Sequence, residues 1–331
     1  MSKASFKALR RTLIASSILL AAILGADLAG AAGYPERPVT LVAPYPAGGA
    51  ADVLARILGR KLEEQLGQPV VVENKPGAGT AIGAAAVANT KPDGYTLLLS
   101  SNSTFTLNPA LSPKLLYDPV KGFEPIGMVG SVALAVLVHP SITATGVPQL
   151  VAAAKANPDK FVYGSFGNGT TSNFAGAMFN AATGLQMTHI PYKGSAPLMT
   201  DLIGGQIPVS FDTVVAAAPQ LKSNKIKVLA VTTAKRSTLM PDVPTVAEAG
   251  YPGFDMSAWL ALVAPRGLPV EVKNRLDKAL ATLMASPDTQ DKMKTAGFEP
   301  AYHPIPDWTG MLTADIARMR GIAERAQIKA D

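Results

Sequence analysis

Nine consecutive residues, Pro44-Tyr45-Pro46-Ala47-Gly48-Gly49-Ala50-Ala51-Asp52, carry the strongest chemical signal in the chain. An apolar run of β-formers, Val39-Thr40-Leu41-Val42-Ala43, precedes them. Helical spacing follows in Val53, Leu54, Ile57, Leu58, Leu62 and Leu66. A strand, a glycine loop and a helix start in that order make a cradle for an anion. The first N–H groups of a helix have no acceptor within it, and the helix dipole adds partial positive charge there. Glycine lets the main chain lie close to a ligand. The competing reading is a tight turn whose glycines serve geometry alone. Asp52 would repel an anion if it faced the loop, so it is expected to complement its own helix start.

A second loop has the same form. The strand Phe161-Val162-Tyr163-Gly164 leads into Ser165-Phe166-Gly167-Asn168-Gly169-Thr170-Thr171-Ser172-Asn173, and a helix follows through Phe174, Met178 and Phe179. A third, Tyr192-Lys193-Gly194-Ser195-Ala196-Pro197, opens another helix. In open α/β sheets ligands bind outside the carboxyl ends of strands. Two such edges facing each other make an interdomain cleft, a common place for a small-molecule site. Lys193 reads as a solvated loop lysine rather than a ligand contact.

Other chemistries lack support. Gly77-Ala78-Gly79-Thr80-Ala81-Ile82-Gly83 imitates a dinucleotide fingerprint, but the acidic residue expected about 20 positions on is badly placed, since Asp93 falls in a turn. His139, His189 and His303 share no metal-ligand spacing, so no metal or cofactor is expected. No nucleophile elbow is present, because Tyr163 rather than glycine lies two residues before Ser165. No catalytic set can be assembled.

The chain has 331 residues, no cysteine and a formal net charge of +6. Lys3, Lys7, Arg10 and Arg11 precede an apolar run over 13–24 and the small residues Ala29-Gly30-Ala31. This is the pattern of a cleavable secretory signal peptide over 1–31, with a retained membrane anchor as the alternative. Arg10-Arg11 hints at twin-arginine export; the general secretory route fits better, since paired basic residues are ordinary in such a segment. Without the signal segment the chain is close to neutral and has no basic cluster interleaved with aromatics, so nucleic acid is not an expected partner. Without disulfides, stability must come from an apolar core.

The elements that position the loops alternate along the chain. Strands are expected at 70–73, 95–100, 132–138, 161–164, 187–190, 207–211, 228–232 and 259–263. Helices are expected between them, with Ala81 to Ala88 capped by Thr80. Two late helices, near 271–285 and 308–326, are expected to pack back on the first domain. Continuous apolar strands alternating with helices indicate an α/β fold with a mostly parallel sheet.

Several segments together resemble the periplasmic receptors of tripartite tricarboxylate transporters, the Bug family. They are Tyr34-Pro35-x-Arg37-Pro38-Val39-Thr40, the loop 44–49 with Asp52 and Ala55-Arg56, and the run 66–79. Pro92-Asp93-Gly94-Tyr95-Thr96-Leu97-Leu98, His189-Ile190-Pro191-Tyr192-Lys193-Gly194, the run 201–206 and Pro241-Asp242-Val243-Pro244-Thr245 also match. The resemblance covers essentially the whole chain after the signal segment. It implies a type II flytrap of two lobes, each a mostly parallel sheet flanked by helices, with the ligand in the interdomain cleft. The expected division is 34–132 with 256–331 in one lobe and 133–255 in the other, hinged near 131–138 and 253–263.

The resemblance further implies a monomeric receptor that is not an enzyme. It would bind a small organic carboxylate (a di- or tricarboxylate, an aromatic acid or an acidic amino acid) and pass it to membrane permease subunits. In the family one carboxylate is held by the first glycine loop through backbone groups and ordered water. That places Tyr45, Ala47, Gly48, Gly49, Ala50, Ser101 and Asn102 in the site from one lobe. The other would supply Gly167, Gly169, Thr170, Gly194, Ser195 and Ala196. Asp212 sits where amino-acid-binding members hold an ammonium group. Two departures bear on ligand identity: the family usually has Phe at the place of Tyr45 and often His at that of Asn173. Two other readings remain open, an exported α/β hydrolase or isomerase acting on a carboxylated substrate, and a ligand sensor for a membrane signalling partner.

Overall fold

The computed structural model describes residues 33–112 and 114–328, so the expected signal peptide over 1–31, with Arg10-Arg11, lies outside the described residues. β1 (Val39–Ala43) is almost wholly buried and has β2 (Val70–Asn74) and β3 (Thr96–Ser101) as parallel neighbours. Its continuous apolar run fits a strand covered on both faces. β2 is the edge, and its burial alternates, leaving Val71 55% exposed. Between β1 and β2 runs α1 (Ala50–Leu66), whose Leu54, Leu58 and Leu62 recur every four residues and are fully buried. Gly67, left-handed at φ 76°, ends it and returns its N–H to the Glu63 carbonyl.

The two halves of the molecule are joined by a long strand, β4 (Phe123–Val138), which at about 3.3 Å per residue spans roughly 50 Å. Phe123 to Ala133 pair antiparallel with β9 (Ser257–Pro265); Leu134 to Val138 pair antiparallel with β7 (Val209–Thr213). The strand changes partner between Ala133 and Leu134. Beyond it, β5 (Val162–Ser165) lies parallel to β7 and to β6 (Thr188–Pro191), and β8 (Lys227–Val231) lies on the other side of β4. β9 also pairs antiparallel with β3, which completes the order β2-β1-β3-β9-β4-β7-β5-β6. The sheet is thus parallel in its outer parts and antiparallel in the connecting strands.

Helices flank this sheet: α2 (Ala81–Ala88), α3 (Asn108–Leu111), α4 (Val147–Ala156), α5 (Thr171–Thr183), α6 (Ser195–Ile203), α7 (Val214–Leu221), α8 (Val270–Ala285), α9 (Pro287–Thr295) and α10 (Trp308–Arg325). As expected, α8 packs on α1 in the first half. α10 packs on α3 and the turn before it, and also reaches α5 in the second half.

Three features differ from the sequence expectation. β4 begins at Phe123 rather than near 132, because bulges between Pro125 and Gly127 and between Met128 and Gly130 absorb the strand breakers. An edge strand, β10 (Glu299–His303), pairs with β4 although it carries Pro300. Thr80 precedes α2 but does not cap it: its φ is 93°, and its hydroxyl accepts a hydrogen bond from Thr104 Oγ1 at 2.6 Å. Behind the sheet, Phe105 stacks 5.9 Å from Trp259 and meets Phe123 and Trp308 edge-on.

Candidate functional site

The carboxyl ends of β1 and β7 face each other across a pocket of about 540 Å³, counted as space between atoms and including its mouth. Four helix starts meet there. α1 presents Gly49, Ala50 and Ala51; α5 presents Thr171; α6 presents Gly194 and Ser195; α7 presents Thr213. Each start carries N–H groups that lack acceptors inside their helix and a partial positive charge of about half a unit. Among the described residues no lysine, arginine or histidine lines the pocket. An anion here would be met by main-chain dipoles and hydroxyls.

The first loop is built as its sequence suggests. Asp52 is 4% exposed and turned away from the pocket lining; it accepts the Gly48 N–H at 3.0 Å, Arg56 Nε at 3.1 Å and Asn74 Nδ2 at 3.0 Å. Burial alone would raise its carboxyl, but hydrogen bonds from Arg56, Gly48 and Asn74 outweigh that and hold it below the ordinary range. Gly48 has φ 83°, a left-handed turn that suits glycine. Tyr45 places its hydroxyl 2.6 Å from Ser101 Oγ, which also accepts the Ser103 N–H at 3.1 Å. The extra hydroxyl relative to phenylalanine is therefore bonded within the pocket wall.

Across the pocket, Asp212 is fully buried. Its Oδ1 accepts the Thr213 N–H at 2.7 Å and its Oδ2 accepts the Ser195 hydroxyl. Burial pushes its carboxyl up to about 6, and the bonds from Ser195 and Thr213 only partly oppose this. Gly194, at φ 105°, abuts Pro46 of the opposite loop so closely that a Cβ on it would lie 2.7 Å from Pro46 Cγ.

Of the residues singled out from sequence, Tyr45, Gly49, Ala50, Ser101, Gly194, Ser195 and Asp212 line this pocket. The others lie around it. Ala47, Gly48 and Ala196 are exposed. Asn102 donates to the Ser257 carbonyl at 3.0 Å and ties β3 to the start of β9. The Gly167 carbonyl accepts Thr170 Oγ1 at 2.6 Å, and Thr170 Oγ1 accepts the Asn173 N–H as the α5 cap. Asn173 Oδ1 accepts the Gly169 N–H at 3.2 Å, while Asn173 Nδ2 is 3.3 Å from His189 Nδ1, beside a separate cavity. Ser165 Oγ lies 2.7 Å from His189 Nε2 but is fully buried, so this Ser–His contact holds a loop in shape.

Pro46, Ala51, Phe166 and Thr171 complete the lining from within the two glycine loops, although none of them was singled out as a site residue; Val132, Thr213, Ala258 and Leu260 were missed altogether. Thr171 and Thr213 could have been found as hydroxyl residues at a strand-to-helix junction. Val132, Ala258 and Leu260 gave no signal beyond that of core strands.

A mixed α/β sheet curled into two halves, with helix starts converging on the cleft between them, defines a two-lobed solute-binding protein. Residues 54–328 match the tripartite tricarboxylate transporter family receptor, and the chain belongs to that family. It is therefore a binding receptor and not an enzyme. The periplasmic binding protein BugD superposes with a TM-score of 0.84 at 36% identity, covering 89% of this chain and 99% of that one. Rpa4515 of R. palustris with adipate gives 0.86 at 35%, covering 89% and 99%. MatC (Rpa3494) from Rhodopseudomonas palustris with bound malate gives 0.80 at 29%, covering 87% and 99%.

Proposed function

We propose that this receptor works in the periplasm as a monomer, exported by the general secretory route. It would capture a small organic carboxylate between lobes formed by 34–132 with 256–331 and by 133–255, and present it to membrane permease subunits. The observation that carries this reading is the pocket lined by four helix starts and, among the described residues, no cationic side chain. Such a site suits an anion held by N–H groups and bridging water. The carboxylates bound to the two similar proteins support the ligand class.

In this reading Gly49, Ala50, Ser101 and Tyr45 receive one carboxylate, and Ser195, Gly194 and Asp212 face the far end of the ligand. Ala47, Gly48, Asn102, Gly167, Gly169, Thr170, Asn173 and Ala196 keep the loops in place. The partner change of β4 at Ala133 and Leu134 supports a hinge at that point. Closure is stabilised by the ligand's greater affinity for the closed form. Among the described residues no helix is long and apolar enough to cross a membrane.

The test is a thermal-shift screen followed by calorimetry against adipate, malate, citrate, benzoate, aspartate and glutamate. At 100 times Kd a ligand stabilises the folded state by about 2.7 kcal/mol. A selective shift with one acid supports the reading. Silence with every acid overturns the ligand class.

A further inference from the structure

The pocket is not the only place where the two halves touch. At the edge of the cleft, three pieces of the first half meet the loop 168–171 of the second: the loop 77–80, a π-helical turn over Ser103–Leu107, and Asn108. Ser103 Oγ accepts the Thr171 N–H at 3.2 Å. That N–H opens α5, so a side chain of one half satisfies a helix start of the other. Asn108 fills the gap between the halves: a Cβ on Gly169 would lie 2.2 Å from Asn108 Oδ1, and one on Gly79 would lie 2.7 Å from the Asn168 carbonyl oxygen.

The first half holds this edge under strain. Ala78 and Thr80 have φ of 45° and 93°, values that side chains rarely adopt. They are pinned by Asn108 Nδ2, which donates to the Gly79 carbonyl at 2.6 Å, and by Thr104 Oγ1 on Thr80 Oγ1. π-helical turns are rare and cluster at functional positions. Strain, an unusual turn and a bond between the halves thus coincide outside the pocket; neither Ser103 nor Asn108 lines the pocket.

We propose that Ser103 and Asn108 form a latch between the halves. They are positioning residues that set the equilibrium between open and closed forms, and so tune binding of every solute alike without touching any. This rests on the reading that the halves close around a ligand. Because apparent affinity scales with the closed fraction, a latch variant weakens all ligands by one common factor.

The chain has no cysteine, so the pair Lys91→Cys and Lys222→Cys, one exposed site on each half, accepts spin labels without background. Distance distributions are measured without ligand for the labelled parent, Ser103→Ala and Asn108→Ala. In Ser103→Ala, loss of the single hydrogen bond to the Thr171 N–H lowers the closure constant about three- to tenfold. In Asn108→Ala, loss of the close packing on Gly169 and of the bond that pins the Gly79 carbonyl acts in the same direction, and both are seen as growth of the longer distance. Ser103→Thr, which keeps the hydroxyl, restores the parent distribution. Gly169→Ala, which drives a Cβ against Asn108, opens the halves even where Asn108→Ala proves unstable. Titration with adipate and with malate then gives Kd values that rise by the same factor, leaving their ratio unchanged.

Unchanged distance distributions would overturn the latch, as would a loss of affinity for one acid alone. Failure of the parent to bind either acid counts against the carboxylate reading, whereas the distance measurement tests the latch without a ligand.

Discussion

Asp212 offers a quantitative test of the pocket's electrostatics. Its carboxyl is fully buried, no lysine, arginine or histidine among the described residues joins it in lining the pocket, and burial lifts it from an ordinary 3.8 to about 6. At 1.36 kcal/mol per pH unit that interval corresponds to about 3 kcal/mol. Between pH 4 and 6 the folded protein holds this proton more tightly than the unfolded chain does. The stabilising contribution of the protonated group is therefore complete below about pH 4 and is lost as pH rises through 6. Asp212→Asn keeps the shape and an acceptor for the Thr213 N–H but does not titrate. Urea unfolding of both proteins from pH 4 to 8 isolates the effect, because the other carboxylates cancel in the difference. The stability of the parent relative to Asp212→Asn should fall by about 3 kcal/mol across that range. A difference that stays flat, or that rises with pH, would refute the claim that burial of the Asp212 carboxyl disfavours its charged form.

Three further substitutions probe other links. Gly194→Ala forces a residue at φ 105° and sets a Cβ 2.7 Å from Pro46 Cγ; calorimetry should show adipate binding weakened by about tenfold or more, with a stability loss of roughly 1–3 kcal/mol from backbone strain. Tyr45→Phe removes the hydroxyl bonded to Ser101; the melting curve should report a loss of about 1 kcal/mol, while a loss above 3 would mean the hydroxyl supports more than one bond. Phe105→Ala empties a fully buried site between Trp259, Phe123 and Trp308, and denaturant unfolding should show a loss of about 3–5 kcal/mol.

The glycine loops that lead into helix starts were legible because their signals are local. An apolar β run, two glycines and a four-residue leucine spacing specify β1, the loop and α1 with little help from elsewhere. The partner elements were less legible because their signals are not local. Pro125, Gly127 and Gly130 read as strand breakers, and only pairing with β9 turns them into bulges of β4. Glu299-Pro300-Ala301-Tyr302-His303 has no alternation to mark β10, which forms because β4 supplies an open edge. Thr80 has the right side chain for a helix cap, but its backbone lies in the left-handed region and its hydroxyl is bonded by Thr104 Oγ1, a residue distant in sequence. In the candidate site, lining residues at helix starts such as Gly49, Ala50, Gly194 and Ser195 were found, whereas Val132, Ala258 and Leu260 were not. Their side chains line the pocket from strands that look like any core strand.

The pairing of β3 with β9 also constrains the order in which the chain can fold. Leu98 takes Val263 as its partner, and β9 comes from the last quarter of the sequence. A chain that appears amino end first cannot complete its first sheet half until nearly all of it has emerged. Contacts between distant positions slow folding because the intervening loop must be closed before they form. The second half, whose strands β5 to β8 are near neighbours in sequence, has no such delay. The middle of this chain is therefore expected to acquire structure before its beginning, and the topology itself leaves the amino-terminal strands without their partner until β9 has been made.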